Sequence, residues 1–170
     1  MKRTTKSLIC IPIAVIVLLL GVPFLWHATL DNVALYRGIS LAPGTVKQSF
    51  RLNYSGSYSM GIEVERKFPH AVLQCLVGIS GPELLDPGTC KNNPAVLRYT
   101  WSLTCDGRLV QVGSSDKIIG GGYTKDTMEA VFGFFDGRRG DRCQLTLRFL
   151  QDGRELAVAK PKLKVYIELL

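Results

Sequence analysis

Few side chains in this 170-residue chain have the types and spacing that support chemistry. His70 and Cys75 lie five apart, which invites a thiol–imidazole pair. On a helix, five residues at about 100° each would turn the two side chains about 140° away from one another. Cys75 reads better as half of a disulfide. Gly120, Gly121 and Gly122, in KIIGGGYTKD, have the composition of a phosphate cradle but lack the Gly-Lys-Ser/Thr ending and a helix to follow. With Tyr123 they read as a connection whose backbone a partner can approach closely, and residues 120–123 are the candidate contact surface. Arg139-Gly140-Asp141 spells an adhesion tripeptide, but within FDGRRGDR its glycines and alternating charges suit a solvated hairpin. Asn53-Tyr54-Ser55 is a glycosylation sequon, which has meaning only in a eukaryotic source. Glu63 and Glu65 share the outward face of one strand and read as sheet exterior before they read as an acid–base dyad. With two histidines and no metal-ligand cluster, the sequence implies no metal, no cofactor and no catalytic set.

The charge narrows the partners. Of the 21 Lys and Arg, three (Lys2, Arg3, Lys6) precede a long apolar run, leaving 18 against 14 Asp and Glu. That excess is scattered, so no nucleic-acid partner is expected. Arg51, Arg98, Arg148, Lys162 and Lys164 read as solubilising, edge-protecting charges. The run itself, Leu8 to Trp26, reads LICIPIAVIVLLLGVPFLW, without a charge. Nineteen residues at about 1.5 Å each approach the thickness of a bilayer's hydrocarbon. Upstream cations and a first downstream charge at Asp31 keep the N-terminus inside. A cleaved signal fits less well, because its apolar core is shorter and Trp26 spoils a small-x-small site ending at Ala28. The expected order is a cytoplasmic tail (1–7), a transmembrane anchor (8–26), a linker (27–45) and an exported domain (46–170). Export explains the cysteines. Cys10 lies in the apolar run, whereas Cys75, Cys90, Cys105 and Cys143 form an even set on the oxidising side.

The exported part reads as all-β. Phe50, Leu52 and Tyr54 alternate with polar residues, as do Tyr58, Met60, Ile62 and Val64, and the intervening SGS suggests that these two segments form a hairpin. Leu97, Tyr99, Trp101 and Leu103 form the clearest inward series, followed by the Asp106-Gly107 turn and a strand over Leu109 to Val112. Asp136-Gly137 and Asp152-Gly153 close two further strands, and Leu163, Val165, Ile167 and Leu169 line a last one after Pro161. Phe132 and Phe134 oppose Phe135, so both faces of that strand are apolar: either it is covered on both sides or one face is a contact patch. Phe68, Val72, Cys75 and Leu76, with Pro69 before and Gly78 after, mark one short helix. Seven to eight strands in an antiparallel sandwich follow. Cys105 and Cys143 both continue inward series, so they are expected to bridge the two layers. Cys75 and Cys90 are then left to close a loop of about 15 residues, worth roughly 3 kcal/mol in the chain-entropy model. Trp101 precedes both Cys105 and Cys143, unlike the order in immunoglobulin domains, so the immunoglobulin-like architecture is an analogy.

The anchor, the stretch LAPGTVKQSFRLNYSGSYSMGIEVERKFP, a Cys-bracketed loop, Asp-Gly-Arg hairpins and the glycine triplet together resemble uncharacterised bacterial membrane-anchored envelope proteins with a domain of unknown function. The resemblance implies a location and a fold, and no chemistry. The reading is a noncatalytic binding or protein-interaction module, single-pass in the bacterial inner membrane, with its domain in the periplasm and a protein partner. Two readings compete with it: an immunity protein anchored against an envelope-acting toxin, and a hydrolase with a loop-built site.

Overall fold

The computed structural model describes residues 32–79 and 87–168. The tail, the apolar run 8–26, the first part of the linker and Cys10 lie outside the described residues. Among those described, no helix is long and apolar enough to cross a membrane.

Among the described residues, nine strands form two antiparallel sheets. One sheet holds β1 (Val33–Gly38), β9 (Lys162–Ile167), β3 (Gly56–Glu65), β7 (Thr127–Gly137) and β6 (Gly120–Tyr123), in that order. The other holds β2 (Gly44–Arg51), β8 (Arg142–Phe149), β4 (Tyr99–Cys105) and β5 (Arg108–Ser114). Alternation drives the assembly. Tyr58, Met60, Ile62 and Val64 are buried from one sheet, and Tyr99, Trp101, Leu103, Leu145 and Leu147 from the other. The helix His70–Val77 sets Leu73, Leu76 and Val77 into the same core and stops at Gly78, whose φ of 81° gives the left-handed cap.

Several sequence expectations are corrected. Residues 33–38 of the expected linker form β1, and the compact unit begins at Val33. The signal was weak because only Leu35 of β1 is fully buried, and the strand depends on pairing with β9. The expected hairpin does not form, because β2 pairs with β8 whereas β3 pairs with β7 and β9. Residues 52–55 cross between the sheets instead, with Leu52 buried and its N–H donating to the Asp141 carbonyl at 3.0 Å. Of the three Asp-Gly signals only Asp106-Gly107 makes a two-residue hairpin, with φ of 50° and 76°. The other two lead into crossings, the second through a 3-10 turn at Arg154–Ala159 that buries Leu156 and Ala159.

Both disulfides pair as the inward series implied, Cys75 with Cys90 and Cys105 with Cys143. The second does not bridge the layers. Cys105 and Cys143 are cross-strand partners on β4 and β8 of one sheet, 4.0 Å apart at Cα. Parity reports the face of a sheet, not which sheet a strand joins. The aromatic strand is resolved by a bulge. Met60 pairs with Gly133 and Gly61 with Val131, so Phe132 is extra on β7 and the parity reverses across it. Phe132 and Phe135 both reach the core, and Phe134 is left 40% exposed.

Phe132 then meets Trp101, with ring centroids 5.3 Å apart, and Tyr99 at 5.6 Å. The indole lies between two glycines. A Cβ at Gly113 would stand 2.6 Å from it, and one at Gly133 2.9 Å. Trp101→Ala should therefore cost about 3–5 kcal/mol from lost burial plus a cavity. Thr100→Ala, one residue away and exposed, should change stability by less than about 0.5 kcal/mol. Thermal melts of the two variants check the register, since a one-residue slip would exchange the outcomes.

Candidate functional site

Residues 120–123 are a strand, not a loop. As β6 they form, among the described residues, the edge of the five-stranded sheet, hydrogen-bonded to β7 on one side. Half of the backbone groups of such an edge strand point away from its neighbour. The three glycines have different reasons. At Gly121 a Cβ would meet Ile79 Cδ1 and the Glu129 carbonyl, both at 3.1 Å, so packing under the sheet excludes a side chain. At Gly122 nothing lies within 4 Å, and at Gly120 only Val131 is within that range, at 3.9 Å. Those two positions leave the outer side of the edge bare where side chains would fit. Tyr123 is 73% exposed and touches the His70 ring edge-on at 5.2 Å, and Ile119 is 53% exposed. His70 therefore faces Tyr123, and Cys75 is bonded to Cys90. The strand has no Pro, no bulge and no Lys, the usual guards of an open edge; shortness is its one protection.

The outer face of the same sheet holds the most concentrated polar chemistry. Glu63 and Glu129 stand directly opposite one another on β3 and β7. Like charges in that register repel. Lys164 of β9 resolves the conflict, its Nζ lying 3.3 Å from Glu63 Oε2 and 3.1 Å from Glu129 Oε2. Gly61 makes room, since a Cβ there would sit 2.5 Å from Glu129 Oε1. Tyr36 donates to Glu63 Oε1 and accepts from Lys162 Nζ at 3.1 Å. Glu129 is buried, and its Oε1 has no hydrogen-bond partner. Burial pushes the Glu129 carboxyl upward, and Lys164 only partly offsets this. Burial works against the Lys164 charge too, but Glu129 and Glu63 hold its ammonium above the ordinary lysine range.

Sequence reasoning placed Glu63 with Glu65. In the fold, Glu65 turns to Lys67 at 3.3 Å and Lys160 at 3.0 Å, and Glu63 joins a cluster assembled from three strands. The one local signal was Gly61, a glycine inside an otherwise continuous strand pattern. The geometry is that of a half-buried ion-pair brace spanning β3, β7 and β9. Among the described residues no group of three or more His, Cys, Asp and Glu is placed to hold a metal.

No family model matches the chain, and no curated protein matches it. Among solved structures it is similar to GEBA250068378 from Sulfurospirillum deleyianum, with a TM-score of 0.54 and 13% identity, over 80% of this chain and 98% of that one. The likeness is one of fold.

Both pKa shifts in the brace are upward. The Glu129 contribution to stability is therefore present below the ordinary carboxylate range and is lost as pH rises through its folded value. The Lys164 contribution persists until pH climbs past the ordinary lysine range. Lys164→Met leaves two opposed, poorly solvated carboxylates and should cost about 3 kcal/mol at neutral pH. Its deficit should shrink as pH is lowered and the carboxylates take up protons. Glu129→Gln should stay within about 1 kcal/mol of the parent, because it removes a buried charge while Glu63 keeps Lys164 paired. Denaturant titrations at acidic and neutral pH measure all three.

Proposed function

We propose that this chain is a noncatalytic protein-interaction module. In this reading residues 8–26 anchor it in the bacterial inner membrane, residues 1–7 stay in the cytoplasm, and the sandwich stands in the periplasm. Two disulfides suit that oxidising compartment. The partner is a protein that offers an extended segment to β6, extending the sheet by one strand. The single observation that carries this reading is an edge strand that no other described strand pairs on its outer side, and that is stripped of side chains at Gly120 and Gly122. Main-chain hydrogen bonds would supply affinity, and Ile119 and Tyr123 at either end would supply selectivity.

A photo-crosslinking residue at position 123 should capture one discrete adduct in intact cells, and the same residue at Lys47, on the far edge of the other sheet, should not. Gly122→Lys should abolish the adduct by guarding the edge, yet change stability by no more than about 0.5 kcal/mol, since its new side chain enters open space. Equal crosslinking from positions 47 and 123, or an adduct indifferent to Gly122→Lys, would remove β6 as the contact.

A further inference from the structure

Register fixes which residues share an end of the sandwich. Val33, the first residue of β1, stands opposite Tyr166. Tyr58, near the start of β3, stands opposite Ile167 and Phe135. The chain therefore enters the sandwich at the end where β2 passes to β3, β7 to β8 and β4 to β5. These three connections are stitched together. Gly140 N–H donates to the Leu52 carbonyl at 2.8 Å, Asp106 N–H to the Arg142 carbonyl at 2.9 Å, and Arg139 N–H to Ser55 Oγ at 2.9 Å.

Five exposed arginines sit on this end: Arg51, Arg108, Arg138, Arg139 and Arg142. Three aspartates share it, and two are occupied. Asp141 accepts from the Arg138 N–H at 2.9 Å, and Asp106 from the Arg142 N–H at 3.3 Å. Asp141 is thus turned back onto its own loop, and Arg139-Gly140-Asp141 is not displayed as a tripeptide. Asp136 is the third. None of the ion pairs among the described residues involves any of the five arginines. Arg51 and Arg142 are direct cross-strand partners, an arrangement that repels unless an anion lies between them. Beside them Ser49, Thr104 and Gln144 line a shallow depression. Around the same end Leu109 is 64% exposed, Val110 44% and Tyr54 40%.

We infer that this end of the sandwich rests on the anionic phospholipid surface, with Arg51 and Arg142 sharing a headgroup phosphate. Guanidinium groups bind phosphate oxygens in pairs. Leu109, Val110 and Tyr54 enter the interfacial layer, where apolar and aromatic side chains accompany cations in peripheral membrane contacts. The lipid is the occupant because β1 starts a few residues after the apolar run. Six residues, 27–32, separate Trp26 from Val33, a reach of at most about 25 Å when fully extended. The inference rests on the anchor reading of residues 8–26. It leaves β6, whose Tyr123 lies toward the other end opposite Met128, free for a partner.

The full chain is reconstituted in nanodiscs of phosphatidylcholine alone and of phosphatidylcholine with phosphatidylglycerol, and amide hydrogen exchange is followed by mass spectrometry. The expected result is several-fold slower exchange over residues 52–56, 105–110 and 138–142 in the phosphatidylglycerol discs. It should vanish at about 0.5 M NaCl, where screening is short-ranged, and in the Arg51→Gln/Arg142→Gln variant with an unchanged melting temperature. Residues 119–124 should exchange alike in both discs. Equal exchange at the arginine end in the two discs overturns the inference while the anchor reading stands. Failure of the chain to co-elute with either disc overturns the anchor reading and the inference with it. Protection reproduced by free glycerol phosphate without lipid shows a small-anion site and overturns docking on the bilayer.

Discussion

The packing of one indole between two backbones organises this sandwich. Trp101 on β4 reaches across the interior to Gly133 on β7 and lies over Gly113 on β5, its neighbour in the same sheet. Neither glycine tolerates a Cβ beneath the ring. For β7 to present a glycine there and still fill the core, Phe132 has to be inserted as the bulged residue opposite Met60. The bulge then sets the register of β7 on both sides: Phe135 and Ala130 face inward, and Glu129 faces outward opposite Glu63. The half-buried ion-pair brace is thus a downstream consequence of a core-packing constraint on the other face of the strand.

The same register carries through to the edge. β6 pairs with the stretch Met128–Val131, ahead of the bulge, where β7 is regular. Ile79 packs under Gly121, and the helix that precedes it is pinned by the Cys75–Cys90 bond. The edge is short and bare because one side is fixed by packing at Gly121, while on the other, among the described residues, Gly122 meets nothing. The two ends of the sandwich differ in chemistry. One gathers five arginines that, among the described residues, make no ion pair, while at the other Glu65 is paired with Lys67 and Lys160.

Much of this was legible in the sequence, and the misses share a cause. Alternation identified β3, β4, β8 and β9 and the burial of Trp101, because period-2 burial is a local property. Helix spacing with Pro69 and Gly78 placed the helix His70–Val77, while the short helix Pro87–Asn92, too brief to show a period, went unread. Strand partnership is not local. QSFRLNY and YSMGIEVE look like hairpin arms, yet they join different sheets because residues 52–55 bury Leu52 and cross over. Parity paired Cys105 with Cys143 correctly and assigned them wrongly to separate layers. The glycine run of β6 offers no alternation to read, so an edge strand passed for a connection. The Glu63–Lys164–Glu129 brace comes from three strands far apart in sequence, and only Gly61 hinted that something lay across it.

The most direct test of an open β6 edge is residue-resolved amide hydrogen exchange of the chain without partner. In an edge strand paired on one side only, amides that donate into β7 are protected and their alternate neighbours are not. That alternation is expected within β6, residues 120–123, between Ile119 and Thr124, whose N–H groups donate to the Val131 and Thr127 carbonyls, with β7 protected over Met128–Val131, where β3 and β6 both pair with it. Uniform protection across 120–123 would mean that another part of the chain already covers the edge and that β6 is not open to a partner.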